Sequence, residues 1–181
     1  MSSLVTREVF HASGLLDFAH NTDYIISVWN SPRFRERFGL DVCAEARNRD
    51  SVRRFVFDVA NDVSQEGPTA WRRHFADSPS FFMAVNGNLA FPNSESATEG
   101  IQSFAHTIQH IDLHWGDELR VDPLTPDFAV VATPWVEVQI DLKGHHLTTS
   151  GFFTALAENR NGQWQFRNAH WSEPVPSVKV P

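Results

Sequence analysis

Apolar residues follow two successive rhythms along this chain, and the change between them predicts its architecture. In the stretch 50–67, Val52, Phe55, Val56, Val59 and Val63 recur at the spacing of one helical face. Asp50 or Ser51 suits the N-cap, and Gly67-Pro68 ends the helix. A second helix is predicted from Pro68, a favoured first-turn residue, to about Asp77, because Pro79 cannot continue it. Trp71 and Phe75, four apart, share one face of it. A third helix is predicted over 96–111, with Ile101, Phe104, Ile108 and Ile111 as its apolar stripe.

The second rhythm is alternation. Two short apolar pieces flank Asn86-Gly87-Asn88, and Asn-Gly is a strong signal for a tight hairpin. Strands are then predicted over 110–122, 128–142, 146–160 and 164–172, with a further tight turn at Asn161-Gly162. Pro134 lies inside the long strand 128–142, which points to an edge or a bulge there. The order is α+β: helices packed on one face of a strongly curved, mixed or antiparallel sheet that forms a cone. Residues 1–48 lack a clear pattern and are read as an N-terminal extension or arm. The domain spans 49–176, and 177–181 form a tail.

Composition narrows the function. The net charge is −7 with no long basic run, which argues against nucleic acid as a partner. The single cysteine, Cys43, allows no intrachain disulfide, which fits a reducing compartment. No apolar run approaches a membrane span, and Arg7, His11, Asp17 and His20 interrupt any signal-peptide pattern. The expectation is a soluble, cytoplasmic protein without a membrane partner. The 15 Phe and 6 Trp supply far more ring area than one core strand needs, and such rings often line ligand cavities.

The closing stretch carries a resemblance. Gly162, Trp164, Gln165, His170, Ser172 and Pro174 form a Gly-x-Trp-Gln turn and strand running into His-x-Ser and a proline. This resembles the SnoaL-like group of the nuclear-transport-factor-2-like, or cystatin-like cone, superfamily. It also resembles the association (hub) domain of calcium/calmodulin-dependent kinase II. The hairpin at Asn86-Gly87-Asn88 and the helix start at Gly100-Ile101 agree with the family's order of elements. The resemblance implies a site in the cone, between the concave sheet face and the helices. It does not choose a function, because this scaffold hosts isomerases, dehydratases, cyclases, hydrolases and binding or oligomerisation modules. Positions that are pocket arginines in hub domains become Trp135, Ala155 and Trp171 here, which implies an aromatic pocket in place of an anion site. The steroid isomerases of the superfamily use a Tyr and two Asp; the only Tyr here is Tyr24, in the N-terminal segment.

Within that frame, Glu137 and His170 are the candidate catalytic residues. Thr133, Trp135, Glu137 and Gln139 share one strand face, and Val136, Val138 and Ile140 share the other. If the first set faces the cone, Glu137 is desolvated beside Trp135 and can act as a general base or acid near neutral pH. If the valines face inward, Glu137 is solvated. His170 has two readings, proton transfer in the cone or a structural hydrogen bond. Without a bulge it shares the parity of Trp164, Phe166 and Asn168, and Trp171 points the other way. Trp71, Phe75, His106, Trp135, Phe153 and Trp171 are the candidate ligand-binding residues, with core packing as the alternative for the rings. His106 and His110 fall on one face of the predicted third helix, but no His-Glu-x-x-His pattern accompanies them, and no metal site is expected. No cofactor is expected either, since no Gly-rich phosphate loop or serine elbow is present.

Two functions follow. One is a small hydrophobic ligand bound in the cone, with cofactor-independent isomerisation, cyclisation or dehydration by proton transfer. The other is a non-catalytic binding or oligomerisation module. A homodimer is expected through the outer sheet face.

Overall fold

The computed structural model describes residues 42–174. The readings made for residues 1–41, Tyr24 among them, for the 177–181 tail and for the Cys43 side chain lie outside the described residues.

Helix α1 covers Val42–Glu66. Its buried face is the predicted one, with Val52, Phe55, Val56, Val59 and Val63 all in the core. It begins two turns earlier than the pattern suggests, so Asp50 and Ser51 lie inside it and cap nothing. Gly67 ends it with φ +84°, its N–H donating to Val63 O at 2.9 Å. The second predicted helix splits into a 3-10 turn, Pro68–Ala70, and a short α2, Trp71–His74. Strands β1 (Phe82–Val85) and β2 (Asn88–Phe91) form the hairpin, with positive φ at Asn86 and Gly87. Those two positive values are what the Asn-Gly pair supplies.

Helix α3 covers Ser94–Ala105. Asn93 caps it: its side chain accepts from Ser96 N at 2.8 Å, and the Ser96 hydroxyl answers the Asn93 N–H. Ile108 and Ile111, read as the end of this helix, belong instead to β3 (Ile108–Trp115). Their spacing fits either period, and the strand wins because Ile111, Leu113 and Trp115 alternate onto the inner sheet face.

Strands β4 (Arg120–Thr125), β5 (Phe128–Asp141), β6 (His146–Arg160) and β7 (Gln163–Ser172) complete the sheet. The order is β2-β1-β7-β6-β5-β3, with β4 also paired to β5; only the β1–β7 pair is parallel. β3 and β4 follow one another along the same side of β5. Pro134 sits where they hand over, and its carbonyl accepts from Gly116 N at 2.8 Å. A strand residue's N and O point to the same side, so the missing proline N–H falls in the gap between two partners. Pro134 is thus inside the sheet, at neither an edge nor a bulge of β5.

All three helices pack against the sheet. The core between them holds Val56, Val59, Leu113, Val131, Phe153 and Phe166. Among the described residues no helix is long and apolar enough to cross a membrane.

Candidate functional site

The core is incomplete at one end. A cavity of about 500 Å³ remains between the sheet and the helices, lined by side chains from α2, α3, β1, β2, β5, β6 and β7. Trp71 and Phe75 supply one wall, their rings stacked at 5.3 Å. Trp135 and Trp171 supply the floor, in edge contact at 5.0 Å, and Trp171 also meets Trp71 edge-on at 5.5 Å. Phe91 and Phe104 line the opposite side. Phe91 fits because Gly100 has no side chain: a Cβ there would lie 2.3 Å from the Phe91 ring.

β5 presents its Thr133, Trp135, Glu137 and Gln139 face to the interior. Thr133 and Trp135 are buried, and Glu137 and Gln139 line the cavity. Glu137 is half-buried, and the Gln139 amide donates to one of its oxygens. Burial pushes its carboxyl above the usual carboxylate range; the Gln139 hydrogen bond opposes the shift and the negative charge of Glu173 adds to it. Thr149, directly opposite on β6, also lines the cavity, and its hydroxyl has no protein partner among the described residues. Glu173 stands exposed at the rim. Asn86, at the hairpin tip, holds it twice: Glu173 N donates to Asn86 Oδ1 at 2.7 Å, and Asn86 Nδ2 donates to Glu173 Oε2 at 3.3 Å.

His170 is a correction. It is exposed and lies on the outer sheet face, paired with Thr154 and Ala84. The cause is a bulge in β7. Ala157 pairs with Phe166 and Leu156 with Asn168, which leaves Arg167 as the extra residue. Trp164 and Phe166 face the core before the bulge, and Ala169 and Trp171 face it after. The bulge has a charge partner: Arg167 donates to the buried Glu158 at 2.8 Å and to Ser80 Oγ at 2.8 Å.

His106 is a second correction. α3 ends before it, and it stands exposed at the C-cap, outside the cavity lining. It shares no helical face with His110, which lies on β3. Phe153 points inward as expected but is fully buried behind Trp171, ring to ring at 4.6 Å, and supports the wall without lining it. Of the three hub-domain positions, Trp135 and Trp171 line the cavity and Ala155 is in the core.

Sequence reasoning missed Thr149, Glu173 and the pair His74–Asp62. The last lies in a separate cleft of about 630 Å³ beside α1. His74 Nε2 lies 2.9 Å from Asp62 Oδ2, and Arg73 bridges Asp62 and Glu66. Burial lowers the His74 pKa despite Asp62, whose carboxylate faces the ring Nε2. Every carboxylate of this group is paired, and it ties α1 to α2.

No family model and no curated protein matches the sequence. Solved structures do match. A putative scytalone dehydratase from Novosphingobium aromaticivorans has a TM-score of 0.65 at 12 % identity, over 75 % of this chain and 89 % of that one. A nuclear transport factor 2-like superfamily protein from Salmonella enterica has 0.58 at 14 %, over 76 % and 95 %. A hexachlorocyclohexane dehydrochlorinase from Novosphingobium barchaimii has 0.56 at 13 %, over 78 % and 99 %. The fold is the nuclear-transport-factor-2-like cone. In this cone the aromatic cavity occupies the space between the helices and the inner sheet face.

Proposed function

We propose that the protein binds a small hydrophobic molecule in the cone and acts on it by proton transfer, as a cofactor-independent isomerase, cyclase or dehydratase. The observation that carries this reading is Glu137: an uncompensated carboxylate in an aromatic cavity, with its pKa raised by burial. Such a group can take a proton from a carbon next to a carbonyl and return it elsewhere. In an isomerisation it returns the proton to the carbon skeleton. In a dehydration the proton goes to the departing hydroxyl, which leaves as water. Gln139 occupies one Glu137 oxygen and leaves the other for substrate. Thr149, opposite Glu137 in the cavity lining, would donate to a substrate oxygen as charge gathers on it. The same fold carries a putative dehydratase and a dehydrochlorinase, both eliminations by name, which supports this reading.

Proton abstraction can be followed without the natural substrate. An apolar cyclic ketone such as 2-decalone, incubated with the protein in deuterium oxide, should exchange its α-hydrogens. Glu137→Gln should slow that exchange at least about 100-fold. His170→Ala should leave it unchanged. Equal exchange by wild type and Glu137→Gln would remove Glu137 from the chemistry.

A second reading, an oligomerisation module, rests on the outer sheet face. Phe82, Val130, Val136 and Phe152 are each about two-fifths exposed there, and such a face gains by being covered. We propose a homodimer through it, compatible with either function. Light scattering that finds only monomer at micromolar concentration would refute the dimer.

A further inference from the structure

The charge of the cavity has a consequence for what it binds. Its polar groups include two carboxylates, Glu137 inside and Glu173 at the rim, and among the described residues no Lys, Arg or His lines it. The remaining surface is largely ring and alkyl. An anionic ligand placed there meets two like charges and no cation, which costs far more in a low-dielectric cavity than in water. A cationic head meets the opposite: two carboxylates and the faces of aromatic rings. The overall charge of −7 attracts cations as well.

We propose that this cone selects an apolar compound bearing a protonated amine, with Glu173 as the counter-ion at the mouth, and rejects carboxylates and phosphates. The inference rests on the reading of the cone as a ligand site. It assigns the two carboxylates different work. Glu137, half-buried and held by Gln139, faces the reacting part of the ligand. Glu173, exposed and held by Asn86, meets the ammonium where it remains partly hydrated. That division keeps the cost of desolvating the head group low. Gly151 supports it from below. A Cβ there would lie 1.8 Å from Ser172 O, so only glycine lets the end of β7 cross so closely and carry Glu173 to the rim.

The test uses three probes of one shape: biphenyl-4-ylmethanamine, biphenyl-4-ylmethanol and biphenyl-4-carboxylate, titrated by calorimetry. The amine should bind about tenfold tighter than the alcohol, and the carboxylate at least about tenfold weaker. Glu173→Gln should weaken the amine about threefold and leave the alcohol unchanged. The Glu137→Gln/Glu173→Gln pair should bring all three affinities together. Lowering the pH should erode the amine's advantage as Glu137, whose carboxyl burial holds above its ordinary value, takes up its proton, with the alcohol unaffected. Among the described residues Glu137 and Glu173 are the only titratable groups lining the cavity. Equal binding of the three probes, or preference for the carboxylate, overturns the inference and leaves the cone as a ligand site. No binding of any probe overturns both.

Discussion

Two glutamates of the same sheet meet burial in opposite ways. Glu137 on β5 and Glu158 on β6 are both withdrawn from water. Burial pushes both carboxyls upward, yet only Glu137 stays raised. At Glu158 the hydrogen bonds from Arg167 and Arg160, at 2.8 and 2.5 Å, outweigh burial and bring the pKa below the usual value. Among the described residues the only hydrogen bond to Glu137 comes from a neutral amide, and the negative charge of Glu173 pushes the same way as burial. Glu158 is built to remain charged and to hold a bulge. Glu137 is left poised, which costs stability and is what a proton-transfer group requires.

The sharpest way to break this contrast is on the Glu158 side. Arg167→Met leaves a buried carboxylate with one partner, exposed Arg160, and should destabilise the fold by about 2–3 kcal/mol in urea unfolding. It should also loosen the β7 bulge that turns Trp171 inward, so probe binding in the cone should weaken. Gly151→Ala attacks the other end. The new methyl collides with backbone at Ser172, and a loss of about 2 kcal/mol is expected, with Glu173 displaced and the Glu158 cluster intact. If the amine and alcohol probes keep their ratio in this variant, the Gly151 account is wrong.

Glu137→Gln should go the other way and stabilise by up to about 1 kcal/mol near neutral pH, because it removes a desolvated charge. The size of the effect depends on pH. A carboxyl whose folded pKa is raised favours folding below its unfolded value and loses that contribution as pH rises through the folded value. The variant's advantage should therefore be absent in acid and grow as pH rises. Glu158 and Asp62, both lowered, lose their contributions as pH falls. His74, lowered from 6.5, adds to the loss below that value, because the unfolded chain takes its proton first. A difference between Glu137→Gln and wild type that is flat with pH would mean that Glu137 is not desolvated. The smallest effect belongs to His170→Ala, within about 0.5 kcal/mol and without change in binding, as befits an exposed outer-face residue.

Most elements were legible in the chain because each is written locally. The stripe Val52–Val63 makes a buried helix wherever it packs, Asn86-Gly87 supplies the left-handed turn, and the Thr133-to-Gln139 alternation sets one face of β5. The ambiguous region was 106–111, where Ile108 and Ile111 satisfy both helical and strand spacing. There pairing with β5, a partner more than twenty residues away, settled the outcome. The start of α1 was hidden for a related reason: 42–49 carries no apolar stripe of its own to mark it.

By itself, then, the sequence determined the α+β order, the buried helix faces and the presence of an aromatic-rich domain without a basic surface. It also placed Trp135 and Glu137 on one side of a strand. Which side meets the helices was a tertiary decision, as was the direction of every side chain after Arg167. A single extra residue reverses strand parity, and whether that residue bulges depends on Glu158 across the β6–β7 hairpin and on Ser80, 87 residues back along the chain. Glu173 reaches the cavity only because Asn86 on another hairpin holds it there. Periodicity is a local property of the chain; the charge inside a cavity depends on which distant groups arrive and which do not.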